Sequence, residues 1–89
     1  MHTYYRYREG APEPGSLIIK LYHSGDEIRG FIRKVADPAE DDTIFPGEEM
    51  DPETALRMAE NKNREPDRHR IFIELSEGVE WNPAWGRLA

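Results

Sequence analysis

At 89 residues the chain has room for one small domain with a thin core, which argues against a multidomain enzyme and leaves little scope for a deep pocket. It has no cysteine, which excludes disulfides and thiolate chemistry and leaves hydrophobic packing to supply stability, as suits a reducing cytoplasm. The net charge of −6 is local: residues 1–36 carry six Lys or Arg against four Asp or Glu, residues 37–53 eight acids and no base, and residues 54–89 six of each.

The N-terminal stretch has no apolar h-region, and the longest aliphatic run is only Leu17 to Ile19. Neither a signal peptide nor a membrane span is therefore expected. Tyr4-Tyr5-Arg6-Tyr7-Arg8 alternates as a short first strand, with Tyr5 and Tyr7 on one side and Tyr4, Arg6 and Arg8 on the other. Ala11 to Gly15, with two prolines and a glycine, breaks it.

Ser16 to Val35 reads as one β-hairpin turning at Gly25-Asp26. That turn sets His23 opposite Ile28 and Ile19 opposite Ile32, making an aliphatic face. The other face pairs Tyr22 with Arg29, Lys20 with Phe31 and Ile18 with Arg33, so long cations lie across aromatic and aliphatic side chains. An acidic loop over about 36–50 follows, in which Thr43-Ile44-Phe45 is the one segment suited to a brief edge strand.

Asp51-Pro52-Glu53 is a helix start: a capping carboxylate, a proline suited to the first turn, and an acid at the positive end of the dipole. Ala55, Leu56, Met58 and Ala59 form its apolar stripe, Glu53 and Glu60 stand four residues before Arg57 and Arg64, and the helix should end around Asn61 to Arg64, before Glu65-Pro66. Ile71, Ile73 and Leu75 then mark the buried side of a further strand, with Phe72 and Glu74 opposite. A C-terminal tail over about 77–89 holds Trp81 and Trp85 around a turn at Asn82-Pro83-Ala84.

The fold class that follows is α+β in a single domain over residues 1–89: a small antiparallel sheet, made of the central hairpin and one or two further strands, packed on one face by a single helix. The expected core is Leu17, Ile19, Leu21, Ile28, Ile32, Leu56, Ala59, Ile71, Ile73 and Leu75.

No motif carries chemistry. His2, His23 and His69 are scattered, the acidic run lacks the spacing of a calcium loop, and no nucleophile elbow or phosphate-binding glycine loop occurs. No catalytic residue, cofactor or metal is assigned, and no enzyme is expected. Surplus aromatics point to a protein-interaction or regulatory module, binding a protein partner or a second copy as a homodimer, since Tyr, Trp and Arg anchor interfaces. The candidate partner-binding residues are Tyr22, Arg29, Phe31, Arg33, Trp81 and Trp85.

The alternative is a nucleic-acid binder using the basic and aromatic outer face of the hairpin, extended by Tyr4, Arg6 and Arg8. Against it stand a pI near 5.0 and the acidic segment. The plainer reading of that face is that the cation stems cover Tyr22 and Phe31. For Trp81 and Trp85, the plainer reading is a tail folded back as a lid over the sheet face opposite the helix.

Overall fold

A computed structural model describes residues 2–35, 43–63 and 69–89. Among these residues six strands and one α-helix follow in chain order: β1 (Thr3–Arg6), β2 (Leu17–Ser24), β3 (Glu27–Lys34), β4 (Thr43–Met50), α1 (Pro52–Lys62), β5 (Ile71–Leu75) and β6 (Arg87–Leu88). One sheet contains all six strands in the order β4-β3-β2-β5-β1-β6.

The hairpin has the expected register, with Ile19 opposite Ile32, Lys20 opposite Phe31 and Tyr22 opposite Arg29. Gly25 supplies the positive φ of +64° that its turn demands. The α+β class, with one helix packed on the sheet, is as expected, but the sheet is larger and mixed rather than small and antiparallel. β5 enters between β2 and β1 and runs parallel to both, and β6 runs parallel to β1. Parallel neighbours cannot be joined by a tight turn, and the crossover from β4 to β5 is the job of α1.

Of the acidic loop expected over about 36–50, Thr43-Ile44-Phe45 forms the edge strand expected there, and the strand runs on to Met50. Residues 43–50 form β4, antiparallel to β3, while residues 36–42 lie outside the described residues. The β3–β4 register shifts between Gly30, which faces Met50, and Ile32, which faces Phe45. Pro46-Gly47 falls in that stretch, and a proline cannot donate to a ladder, so the pairing gives way there.

Asp51 caps α1 as read from the sequence, accepting from the Thr54 backbone N–H at 3.1 Å and from the Thr54 hydroxyl at 2.6 Å. The donation from the Thr54 side chain, and then from its backbone, holds the Asp51 carboxyl below its ordinary value. Ala55, Leu56 and Ala59 are the buried side of the helix, which packs on β2 and β3. Gly30 permits the close approach: a Cβ there would stand 2.7 Å from a Leu21 methyl and 3.8 Å from the Ala55 Cβ. Of the favourable helix pairs read from the sequence, Arg64 lies outside the described residues.

Leu17, Ile19, Leu21, Ile32, Leu56, Ala59, Ile71 and Ile73 are buried as expected, while Ile28 and Leu75 are only partly buried at the rim. Tyr4, Met50, Ala55 and Val79 join the core beyond expectation. Among the described residues no helix is long and apolar enough to cross a membrane.

The face assignment has a direct test. Ile19→Ala and Ile73→Ala should each cost about 2–5 kcal/mol in urea denaturation, because each empties a position enclosed between sheet and helix; unchanged midpoints for both would contradict this core.

Candidate functional site

The helix covers one face of the sheet, and the candidate residues Tyr22, Arg29, Phe31 and Arg33 all project from the other. Alternation along each strand requires this: in β2 the side chains of Ile19 and Leu21 point to the helix, so Ile18, Lys20 and Tyr22 point away. Their partners in register on β3 are Arg33, Phe31 and Arg29, and on β5 Phe72 and Glu74 face Ile18 and Lys20.

The first strand adds Tyr5 and Tyr7 to this face, not Tyr4, Arg6 and Arg8. In the β1–β5 pairing Tyr5 stands opposite Phe72, which places both on the helix-free side. Tyr4 is thereby committed to the core, at 2% exposure.

Two aromatic pairs lie on the helix-free face, Tyr22 with Phe31 at 6.0 Å between ring centroids and Tyr5 with Phe72 at 6.2 Å. The Arg33 guanidinium lies 5.9 Å from the Tyr7 ring centroid and that of Arg70 lies 4.9 Å from Tyr5, both within cation–π range. Between the two aromatic groups, Glu74 stands 3.8 Å from both the Lys20 ammonium and the Arg33 guanidinium. These part-exposed pairs are worth about 0–1 kcal/mol each, so their effect is to align the long side chains more than to hold the fold.

At the hairpin end the Tyr22 hydroxyl donates to the Glu49 carboxylate, and Arg29 donates to the Glu49 carbonyl at 3.4 Å. That carboxylate, more than burial, raises the Tyr22 phenol above its ordinary value. Beneath the polar layer Ile18 is 2% exposed and Phe72 5%, although no helix covers them. The face thus has an apolar floor of its own, closed over by neighbouring cations and rings in the way that amphipathic stems cover apolar surface.

Trp81 and Trp85 are elsewhere. They are not a lid over the face opposite the helix; they pack on the helix side, against Tyr4 at the β1–β6 edge. Trp81 meets the Tyr4 ring edge-on at 5.6 Å, and Trp85 meets Trp81 at 5.2 Å. The Trp81 indole N–H donates to the Gly86 carbonyl at 3.0 Å, and Asn82 caps the short 3₁₀ turn Pro83–Trp85.

β6 is fastened by Arg87 N–H to His2 carbonyl at 2.9 Å and Ala89 N–H to Tyr4 carbonyl at 2.8 Å. Gly86 makes this possible with φ +142°, since a Cβ there would stand 2.8 Å from both the His2 carbonyl oxygen and the Tyr4 ring. The tail, read from the sequence as a partner-binding segment or a lid over the face opposite the helix, is therefore the sixth strand plus a core extension on the helix side, and its two indoles do not join Tyr22, Arg29, Phe31 and Arg33.

Glu60 closes this cluster from the helix, its carboxylate near the Tyr4 phenol and 3.4 Å from His2 Nδ1. Burial first, and the Glu60 carboxylate second, push the Tyr4 phenol up to about 12. Among the described residues no group of three or more His, Asp or Glu side chains converges to hold a metal ion. No protein-family model matches the chain, and no curated protein or solved structure matches it either.

Sequence reading set Phe72 and Glu74 opposite the buried side of their strand, as found, but missed Tyr5, Tyr7 and Arg70 as members of this face. The alternation that pairs Tyr5 with Tyr7 is visible in the sequence, but which face they join depends on where β1 inserts.

The Tyr4 environment predicts a pH effect. An unfolded tyrosine ionises near 10, whereas folded Tyr4 holds its proton to about 12. The unfolded chain therefore binds fewer protons in that window, and stability falls as pH rises through it, the contribution being complete below about 10. Urea midpoints measured from about pH 9 to 11.5 should fall less steeply in Tyr4→Phe than in the parent; parallel profiles would contradict the assignment.

Proposed function

We propose that this chain is a non-enzymatic protein-interaction module, working in the cytoplasm, and that its helix-free sheet face receives the partner. The observation that carries the reading is the composition of that face: half-buried Tyr5, Tyr7, Tyr22 and Phe31 interleaved with Arg29, Arg33 and Arg70 over a sealed apolar floor. Aromatic rings and arginine guanidinium groups supply large contact area with few rotors to freeze, and for that reason they dominate the energetics of protein interfaces. The missing cysteine suits a reducing compartment.

Charge distinguishes a protein partner from a nucleic acid. Lys20, Arg29, Arg33 and Arg70 are countered on the same side by Glu74 and Glu49, with Glu27 at the hairpin tip. A polyanion needs phosphate-binding cations in surplus, whereas a mixed surface suits a partner that carries both signs. The second reading, a binder of unpaired nucleotides, draws support from the Tyr22–Phe31 pair beside Arg29, because bases stack on such platforms.

The test compares the parent chain with Phe31→Ala and Arg29→Ala. A discrete protein captured from the native cytosol should bind each variant about tenfold or more weakly while the thermal midpoint of the variant stays near the parent's. Sedimentation of the purified chain over a concentration series distinguishes a second copy from a different protein. Fluorescence anisotropy with single-stranded oligonucleotides decides against the proposal if binding is tight at low salt, weakens steeply as salt rises, and is lost in Arg29→Ala with Arg33→Ala.

A further inference from the structure

A cleft of about 690 Å³ opens at the end of the sheet where β1, β2 and β5 begin, away from the hairpin tip. Its two main walls are pinned by backbone hydrogen bonds. On one side Gly15 N–H donates to the Val35 carbonyl at 2.7 Å, Val35 N–H returns to Ser16 at 2.9 Å, and Ser16 N–H reaches Glu13 at 3.0 Å. On the other, the Asn63 side chain clamps His69 from both directions, donating to its carbonyl at 2.5 Å and accepting from its N–H at 2.7 Å.

Gly15 brings the walls together. Its φ is +93°, and a Cβ there would stand 2.8 Å from His69 Nε2, so the imidazole rests on this glycine and beside Ser16. Ser16 is 2% exposed, the only buried polar side chain among the described residues, and it lines the cleft. Among the described residues its hydroxyl has no hydrogen-bond partner, yet no fully enclosed side-chain polar atom there lacks one. The Ser16 hydroxyl therefore faces the cleft, held by a rigid turn and free to bond an occupant.

Two opposite charges share this space. Glu13 and Arg70 both line it, and among the described residues neither makes an ion pair, with each other or with a third group. Glu60, the other carboxylate on the lining, already stands against His2 at 3.4 Å. Arg70 rests on the Tyr5 ring with its N–H groups unspent. A cleft with one unpaired carboxylate and one unpaired guanidinium on its lining matches a ligand that is neutral overall but carries both charges.

We propose that this cleft binds a small zwitterion, a free α-amino acid or a dipeptide. The ligand carboxylate lies on Arg70 and the Ser16 hydroxyl, and its ammonium lies on Glu13. The cleft shares Tyr5 and Arg70 with the margin of the helix-free face, but the proposal does not rest on the partner-binding reading of that face, and either stands if the other fails.

Amide chemical-shift titration of the full-length, isotope-labelled chain tests it, with glycine, serine, glutamate, lysine and glycylglycine as probes. At least one zwitterion should produce saturable shifts centred on residues 13–16 and 69–71. Sodium acetate and methylammonium, each carrying half of the recognised pair, should bind at least about tenfold more weakly. Ser16→Ala should weaken the best zwitterion by about fivefold to tenfold. Glu13→Gln, a substitution at an exposed position that leaves the backbone turn intact, should bring that zwitterion down to the affinity of acetate. The proposal is overturned if no zwitterion gives saturable shifts up to about 50 mM, if acetate or methylammonium binds as well as the zwitterions, or if Glu13→Gln changes nothing.

Discussion

The structure depends on the insertion of β5 between β2 and β1, with parallel pairing along both of its edges. A strand hydrogen-bonded on both sides has no free backbone groups, and Ile71, Phe72 and Ile73 are correspondingly buried in succession, on both faces of the sheet. Parallel entry obliges the chain to cross the sheet after β4, and α1 crosses on the face where Ile19, Leu21 and Ile32 present aliphatic side chains and Gly30 presents none. The same insertion places β1 on the far side of β5, which in turn creates the edge onto which Arg87 and Leu88 add as β6.

The two faces of the sheet follow from that arrangement and are stabilised by different physics. The helix side is a conventional core of aliphatic residues extended by Tyr4, Trp81 and Trp85, whose rings meet edge-on and of which Trp81 donates its indole N–H to the Gly86 carbonyl. The helix-free side buries Ile18 and Phe72 without a covering element, using the stems and rings of Lys20, Arg33 and their neighbours as the cover. Such a surface is already desolvated at its base and amphipathic at its top. A partner that displaces or stacks on the long side chains then gains apolar contact without first having to expose a core.

The ends of the sheet differ as well. At the hairpin end Tyr22 and Arg29 engage Glu49, so β4 is tied to the hairpin by side chains as well as by its ladder. At the opposite end the charged groups Glu13 and Arg70 stay apart, and the rigid elements there, a glycine turn under His69 and the Asn63 clamp, shape a space instead of filling it. Of the polar groups there only Ser16 is buried, and a buried hydroxyl without a partner costs desolvation that the exposed Glu13 and Arg70 avoid.

What the sequence determined by itself was local. Alternation over Ser16 to Val35 defined the hairpin, its register and the joint projection of Tyr22, Arg29, Phe31 and Arg33; Asp51-Pro52 defined the start of α1; Ile71, Ile73 and Leu75 defined a strand and its inward side. These are consequences of side-chain period and backbone chemistry within a few residues, and they hold wherever the element is placed. The tertiary structure decided which edges meet. Parallel pairing of β1 and β5 leaves no mark in either segment, so the assignment of Tyr5 to the open face and Tyr4 to the core was not legible. An acidic edge strand interrupted by Pro46-Gly47 has the composition of a loop and becomes β4 only because β3 offers it an unpaired edge. The side on which the Trp81 and Trp85 tail packs is likewise not legible until Gly86 lets it pass close to Tyr4 and add a strand, since long-range hydrogen bonding and close packing depend on residues more than seventy positions apart in the chain.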